Sequence, residues 1–203
     1  LCGPQFPRDN RAAFLGKIAA AQPVIQDAIA ELQSNQNQND SDSKKFKLLS
    51  ACIGLSKTSK AALTKIKSAI ANRNKSDYVS VPEAETGTLN GDSVTELDQL
   101  ATRLDDLSPA LDDLATAYYN VEELLDEEEG EEYGAEITAL DHNLIEDLEK
   151  EADKMGLAVQ DALEEFRRSV WWFSENEDEE RVEFLKGAVE HNLTKLRDAT
   201  KNL

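Results

Sequence analysis

Between Ser93 and Asp126, apolar side chains fall on two interleaved seven-residue rows. Leu97, Leu104, Leu111, Tyr118 and Leu125 make one row, and Leu100, Leu107, Leu114 and Val121 make the other. Nine consecutive positions at alternating three- and four-residue steps are what a long helix needs to present a single apolar seam. A strand repeats its face every second residue and cannot carry this pattern. The seam has to be buried along helices of similar length, which points to an all-α, up-and-down bundle whose helices cross at about 20°. Ser108-Pro109 lies inside the seam without shifting its phase. Proline there either bends one helix or starts a second one capped by Ser108, and the preserved register favours a single bent helix.

Four further segments have helical spacing, which predicts about five long helices and essentially no strand. The first runs from Arg8 to Gln33 with Phe14, Ile18, Ala21, Ile25, Ala28 and Leu32 inward; Pro23 must kink it or divide it into two short helices. The second, Lys44 to Arg73, turns Leu49, Cys52, Ser56, Ser59, Leu63, Ile66 and Ile70 inward, and its small residues leave room for a close neighbour. A fourth, Ala135 to Phe173, aligns Ile137, Leu140, Leu144, Leu148, Met155, Val159, Leu163, Phe166, Val170 and Phe173. The fifth carries Val182, Leu185, Val189, Leu193 and Leu196 after a turn at Ser174 to Glu180. Flexible loops are expected near 34–43, 74–92 and 126–134, from the polar SNQNQNDSDS run, the Pro82, Gly87 and Asn90-Gly91 signals, and the acidic DEEEGEE run. The reading is one helical-bundle domain over 1–203, taken as the C-terminal portion of a longer protein because the chain opens on Leu without a signal segment.

Charge narrows the choice of partners. With 41 acidic residues against 22 basic ones, the net charge of -19 repels nucleic acid and anionic membrane surfaces and attracts basic proteins. It is unevenly spread: Ser43 to Ser76 holds nine Lys or Arg and no acid, whereas Glu122 to Glu132 holds eight acids and no base. The basic helix lacks the interleaved aromatics of a nucleic-acid surface and reads better as a complement to acidic neighbours in the same bundle. No apolar run is long enough to span a membrane. Cys2 and Cys52 lack CxxC spacing and suit free thiols in a reducing compartment, which places the protein in cytoplasm and nucleus.

The residues that carry chemistry do not assemble into a reaction centre. His142 and His191 stand in different helices, without His-x3-His spacing and without a triad with Cys52. DEEEGEE lacks the alternating ligand spacing of a calcium loop, so a solvated interhelical turn is expected there. Asp105-Asp106 and Asp112-Asp113 are adjacent carboxylates on the polar face of a helix, where they stay solvated as surface charges without the burial and pocket that acid-base work needs. Phosphate-cradling and nucleophile-elbow motifs are missing. Asn39, Asn74 and Asn192 open N-x-[ST] triplets of the kind chance produces in an Asn-rich chain. No enzyme activity, cofactor or metal is expected.

Two features bear on partner binding and regulation. Trp171 and Trp172 are adjacent in a helix and cannot both face one core, so one is a candidate partner anchor, with capping of the bundle end as the plainer role. Ser108-Pro109 fits a proline-directed phosphosite in which phosphate would meet Asp105, Asp106, Asp112 and Asp113; Ser108 as a helix cap is the structural role.

PQFPRDNRAA from Pro4 to Ala13, ELDQLATRLDDLSPALDDLATAYY from Glu96 to Tyr119, LSACIGLSKTSKAALTKIKSAI around Leu49 to Ile70, and the closing FLKGAVEHNLTKLRDAT resemble stretches of the cyclin D-binding protein family (GCIP, or human homologue of Maid). The likeness is collinear over nearly the whole chain, and PRDNRAA and the Ser108 to Ala115 string are its most specific parts. It implies a vinculin/catenin-like helical bundle, the C-terminal half of such a protein, that binds D-type cyclins or helix-loop-helix transcription factors without touching DNA. The acidic insert Glu127 to Glu132, the polar loop and the Val81 to Asp92 linker mark a distant member. The resemblance carries over no site residues. The expectation is a non-catalytic interaction module regulating cell-cycle progression or transcription; the alternative is a cytoskeletal or adhesion-type bundle adaptor. A helical enzyme with a carboxylate metal site would need Glu-x-x-His pairs facing the core, and the sequence has none.

Overall fold

The computed structural model describes residues 6–36, 43–72, 91–130, 139–169, 173–201 and 203. They form six α-helices and, among the described residues, no strand: α1 (Phe6–Gln36), α2 (Lys44–Asn72), α3 (Gly91–Asp105), α4 (Leu107–Gly130), α5 (Ala139–Arg168) and α6 (Glu175–Thr200). Cross-helix bonds give the directions. Arg11 on the Ala71 carbonyl and Gln36 on Ser50 run α1 against α2, and Glu96 on Ser169 with Arg103 on Asp161 runs α3 against α5. Arg197 on Asp153 and Lys186 on Glu164 run α5 against α6. With α3 and α4 forming one interrupted rod, the five rods alternate in direction as an up-and-down bundle.

The column at the centre is α2, which packs against α1, α4, α5 and α6. Sequence spacing foresees one inward row, Leu49, Cys52, Ser56, Ser59, Leu63, Ile66 and Ile70, and all of it is buried. Leu48, Ala51, Ile53, Leu55, Thr58 and Ala62 are buried as well, so apolar contact wraps most of the circumference and leaves a stripe through Lys47, Lys57, Thr64 and Ser68 exposed. Small residues set the approach of α6. A Cβ on Gly54 would collide with the Asn192 side chain, and one on Gly156 would stand 2.9 Å from Leu193 and 3.2 Å from Val189. Glycine is required at both places because a neighbouring helix occupies the side-chain volume.

Several helix boundaries differ from the expected ones, each for a local reason. Helix α1 is not divided at Pro23. The proline and Ala19, whose carbonyl loses its partner, both lie on the exposed face, where water satisfies the group. The heptad rod is two helices rather than one: Asp106 interrupts it, and Pro109 falls in the first turn of α4, where a missing N–H costs no helical bond. The register survives, since the Ala110 amide donates to the Asp106 carbonyl at 3.2 Å and all nine seam residues are buried. Ser108 therefore lies inside α4 and not at its cap.

The expected loop at 34–43 is helical as far as Gln36, and 37–42 lies outside the described residues. The acidic run is helical from Asp126 to Gly130 as the end of α4, with 131–138 outside. The linker expected at 74–92 yields Gly91 and Asp92 to α3, and 74–90 lies outside. Helix α5 begins at Ala139 and stops at Arg168, short of Phe173. Its last-turn Arg167 and Arg168 complement the helix dipole, and the chain folds back so that Phe173 packs edge-on against Phe166 at 5.4 Å. Helix α6 starts at Glu175, so SENEDEE is a first turn and not a loop. Asp178 explains the start: its carboxylate accepts from the Ser174 amide at 2.7 Å and pairs with Lys65 of α2.

Gly54→Val should destabilise the protein by about 1–3 kcal/mol through overpacking against Asn192. Gly187→Ala, at a helical glycine with no neighbour beside it, should instead stabilise by about 1 kcal/mol. Urea denaturation of the two variants tests the contrast.

Candidate protein-interaction surfaces

The interior contains reactive residue types in unreactive settings. Cys52 is fully buried on α2, and burial pushes its thiol up from 9.0 to about 12, a setting that suppresses the thiolate. Tyr118 donates to Glu122 at 2.9 Å, and burial, followed by that carboxylate, raises its phenol well above the ordinary range. Tyr119, edge-on to Tyr118, is raised to about 12 by burial and then by Glu31. The hydroxyls of Ser56 and Thr58 donate to their own helix, to the carbonyls of Cys52 and Gly54. His142 and His191 are exposed on α5 and α6. Among the described residues, no three His, Cys, Asp or Glu side chains are grouped to hold a metal ion, and no helix is long and apolar enough to cross a membrane.

The seven lysines of α2 are mostly consumed inside the bundle. Lys67 donates to Gln22 at 2.6 Å, Lys60 to Gln26 of the same α1 face, and Lys65 to Asp178. Lys45 is buried, and Lys44 reaches the Leu203 carbonyl at 3.4 Å. Lys47 and Lys57 point outward. The sequence reading expected this helix to complement acidic neighbours; among the contacts described here, Asp178 of α6 is such a neighbour, while α1 offers the neutral amides of Gln22 and Gln26. Primary amides accept from an ammonium as a carboxylate does, and the residues facing α2 from α1 happen to be Gln.

Four of those cations are drawn to helix boundaries, and carboxylates dominate the outer rod of α3 and α4. On the α3–α4 rod, Asp98, Asp105, Asp106, Asp112, Asp113 and Glu123 are exposed, and α4 itself has no Lys or Arg. Lys17 of α1 pairs with Asp105 at 2.9 Å, with both side chains more than half exposed; such a pair contributes little. Ser108, half-buried in the first turn of α4, stands in sequence among these aspartates. The structure therefore keeps Ser108 beside the carboxylates named from sequence, but as an interior helical residue.

A second surface is the outer side of the α5–α6 hairpin, where an open groove is lined by Gln160, Asp161, Glu164, Glu183, Lys186, Gly187 and Glu190. Lys186 holds the Glu164 carboxyl below its ordinary range by hydrogen bonding to it. Arg167 reaches Glu183 at 3.3 Å and also Glu179. Among the described residues, Leu157 of α5 and Phe184 of α6 are the most exposed of the large apolar side chains, and Arg181 stacks over the Phe184 ring at 5.0 Å. Sequence analysis did not single these two out. Their signal is that each stands off the apolar row of its own helix. Trp171 and Trp172, the anchors it did single out, lie outside the described residues.

No protein-family model matches the chain, and no curated protein matches it significantly in sequence.

Two measurements follow. Cys52 is protonated in both folded and unfolded chains below about pH 9; above it the unfolded thiol ionises first, so stability should fall by about 1.4 kcal/mol per pH unit towards pH 12. Tyr118 and Tyr119 act in the same direction at higher pH. Urea titrations at about pH 8 and about pH 10 should show the loss, and Cys52→Ala should flatten it. Separately, Asp178→Ala removes a carboxylate partner of a largely buried ammonium and the acceptor of the Ser174 amide, and should cost about 3 kcal/mol. Lys65→Met in the same chain should recover most of that loss in thermal denaturation.

Proposed function

We propose that this chain is a non-catalytic protein-interaction module, and that it restrains cell-cycle progression or transcription by binding cyclin or helix-loop-helix partners in cytoplasm and nucleus. The observation that supports the first part is the sorting of charge: α2 draws Lys45, Lys60, Lys65 and Lys67 to its boundaries with other helices while the exposed faces of α3–α4 and α5–α6 carry carboxylates. A bundle arranged in this way attracts basic proteins and repels nucleic acid and anionic membranes. Support for the second part is the resemblance of the Glu96 to Tyr119 and Leu49 to Ile70 segments to the cyclin D-binding protein family. Those segments coincide with the two elements that build the core, α3–α4 and α2. The partner classes therefore come from the resemblance and the mode of binding from the surface.

Affinity purification of the intact protein followed by mass spectrometry should recover cyclins or helix-loop-helix factors. Their binding should weaken steeply with salt, and Asp112→Lys with Asp113→Lys should reduce it by about tenfold if the α4 face is used. Recovery of actin filaments or membrane-protein tails instead would replace this reading with that of a cytoskeletal adaptor. Retention of no specific partner would end the interaction reading.

A further inference from the structure

Helices α1, α4, α5 and α6 surround α2 and leave one stripe of it uncovered, through Lys47, Lys57, Thr64 and Ser68. The stripe runs between α1 and α6. Lys57 stands three residues from Gly54, which faces Asn192 of α6, and three from Lys60, which reaches Gln26 of α1.

That side of the bundle is positive, in a chain of net charge -19. Helix α2 has no Asp or Glu. Lys60 and Lys67 donate to Gln26 and Gln22, and an amide satisfies the hydrogen bond without cancelling the charge. Beside those glutamines the exposed residues of α1 nearest α2 are Ala19, Pro23 and Ala30. Asp27 and Glu31 share a different face of α1, on which Glu31 meets Tyr119 of α4.

Helix α6 supplies the other edge. Its Asp178 and Asn192 face α2, whereas Lys186 and Arg197 face α5. Arg181 and Lys195, each three residues beyond an α2-facing one, are therefore exposed on the α2 flank, away from α5. The described carboxylates of α6 other than Asp178 point towards α5 or straight outward. Lys47, Lys57, Lys60, Lys67, Arg181 and Lys195 thus form a cationic strip about 30 Å long, the rise from Lys47 to Lys67. Phe184 borders it: the side chain is 61% exposed, with the Arg181 guanidinium 5.0 Å from its ring centre.

The width of the strip decides what fits. It is one helix across, about 10 Å, and charges are screened over about 8 Å at physiological salt. A ligand confined to the strip meets its cations, whereas a membrane plane or a nucleic-acid duplex extends beyond it towards the carboxylates of the other rods.

We propose that the uncovered side of α2 is the seat of an acidic amphipathic helix of a partner protein, about 20 residues long. Its Asp or Glu residues meet Lys47, Lys57 and Lys195, an apolar side chain at its edge covers Phe184, and its presence completes the ring of helices around α2. This seat uses different residues from the acidic surfaces described above and takes a partner of the opposite charge.

The test is a fluorescence-anisotropy titration of the whole chain with a labelled Glu/Leu amphipathic helix of about 20 residues. The helix should bind. Lys47→Glu with Lys57→Glu, at two exposed positions, should weaken binding by about tenfold or more with unchanged helicity and Tm, and Phe184→Ser should weaken it several-fold. Lys150→Glu with Arg168→Glu, which changes net charge equally but on α5, should leave binding within about twofold. Absence of binding at physiological salt, or equal weakening by the two double variants, overturns the seat. Tighter binding of anionic phospholipid vesicles or duplex DNA through the same lysines overturns the acidic helix as its occupant. Self-association of the chain that Lys47→Glu with Lys57→Glu abolishes does so too, by giving the seat to a second copy.

Discussion

The burial of α2 on nearly all sides is the constraint from which the other features follow. Fourteen of its 29 residues are buried, too many for one face of an amphipathic helix, so four neighbours have to surround it. A central helix of leucine and isoleucine alone would hold those neighbours at wide separations; Ala51, Cys52, Gly54, Ser56 and Ser59 let them come close. The polar groups this brings inside are satisfied locally where they can be, as with Ser56 on the Cys52 carbonyl, which avoids the cost of a buried hydroxyl without a partner.

Placing the most basic helix at the centre has an electrostatic result. Its long lysines reach past the apolar layer to Gln22, Gln26 and Asp178, so the stems are buried and the ammonium groups are hydrogen-bonded at the boundaries between helices. The exposed carboxylates of α4 have no Lys or Arg on their own helix, whereas those of α5 and α6 are partly paired, as in Arg167–Glu183 and Arg197–Asp153. The Lys65–Asp178 pair at the start of α6 joins the basic central helix to an acidic outer one.

The hairpin of α5 and α6 shows how packing and surface are coupled. Gly156 lets α6 close against α5, and Arg197–Asp153 and Arg167–Glu179 fix the register on the outside. That register places Gly187 in the groove between the two helices. Gly187, Leu157 and Phe184 are not needed by the core, whose α5 and α6 rows run through Met155, Val159, Leu163, Val182, Leu185 and Val189.

Periodicity by itself determined the helical class and most of the buried row of each helix. Apolar spacing encodes a helix face whatever the face packs against, and all nine positions of the α3–α4 seam are buried as read. Helix ends were less legible: α1 passes Pro23 because the lost bond faces water, and α6 starts at Glu175 because Asp178 pairs with a lysine more than a hundred residues earlier. Tertiary structure alone decided which helix is central, that four of the α2 lysines are drawn to helix boundaries, and that Gly54 is occupied by a neighbour while Gly187 is open. Each depends on which helix stands beside which, and a one-dimensional pattern of apolar residues specifies a face to be covered without specifying what covers it.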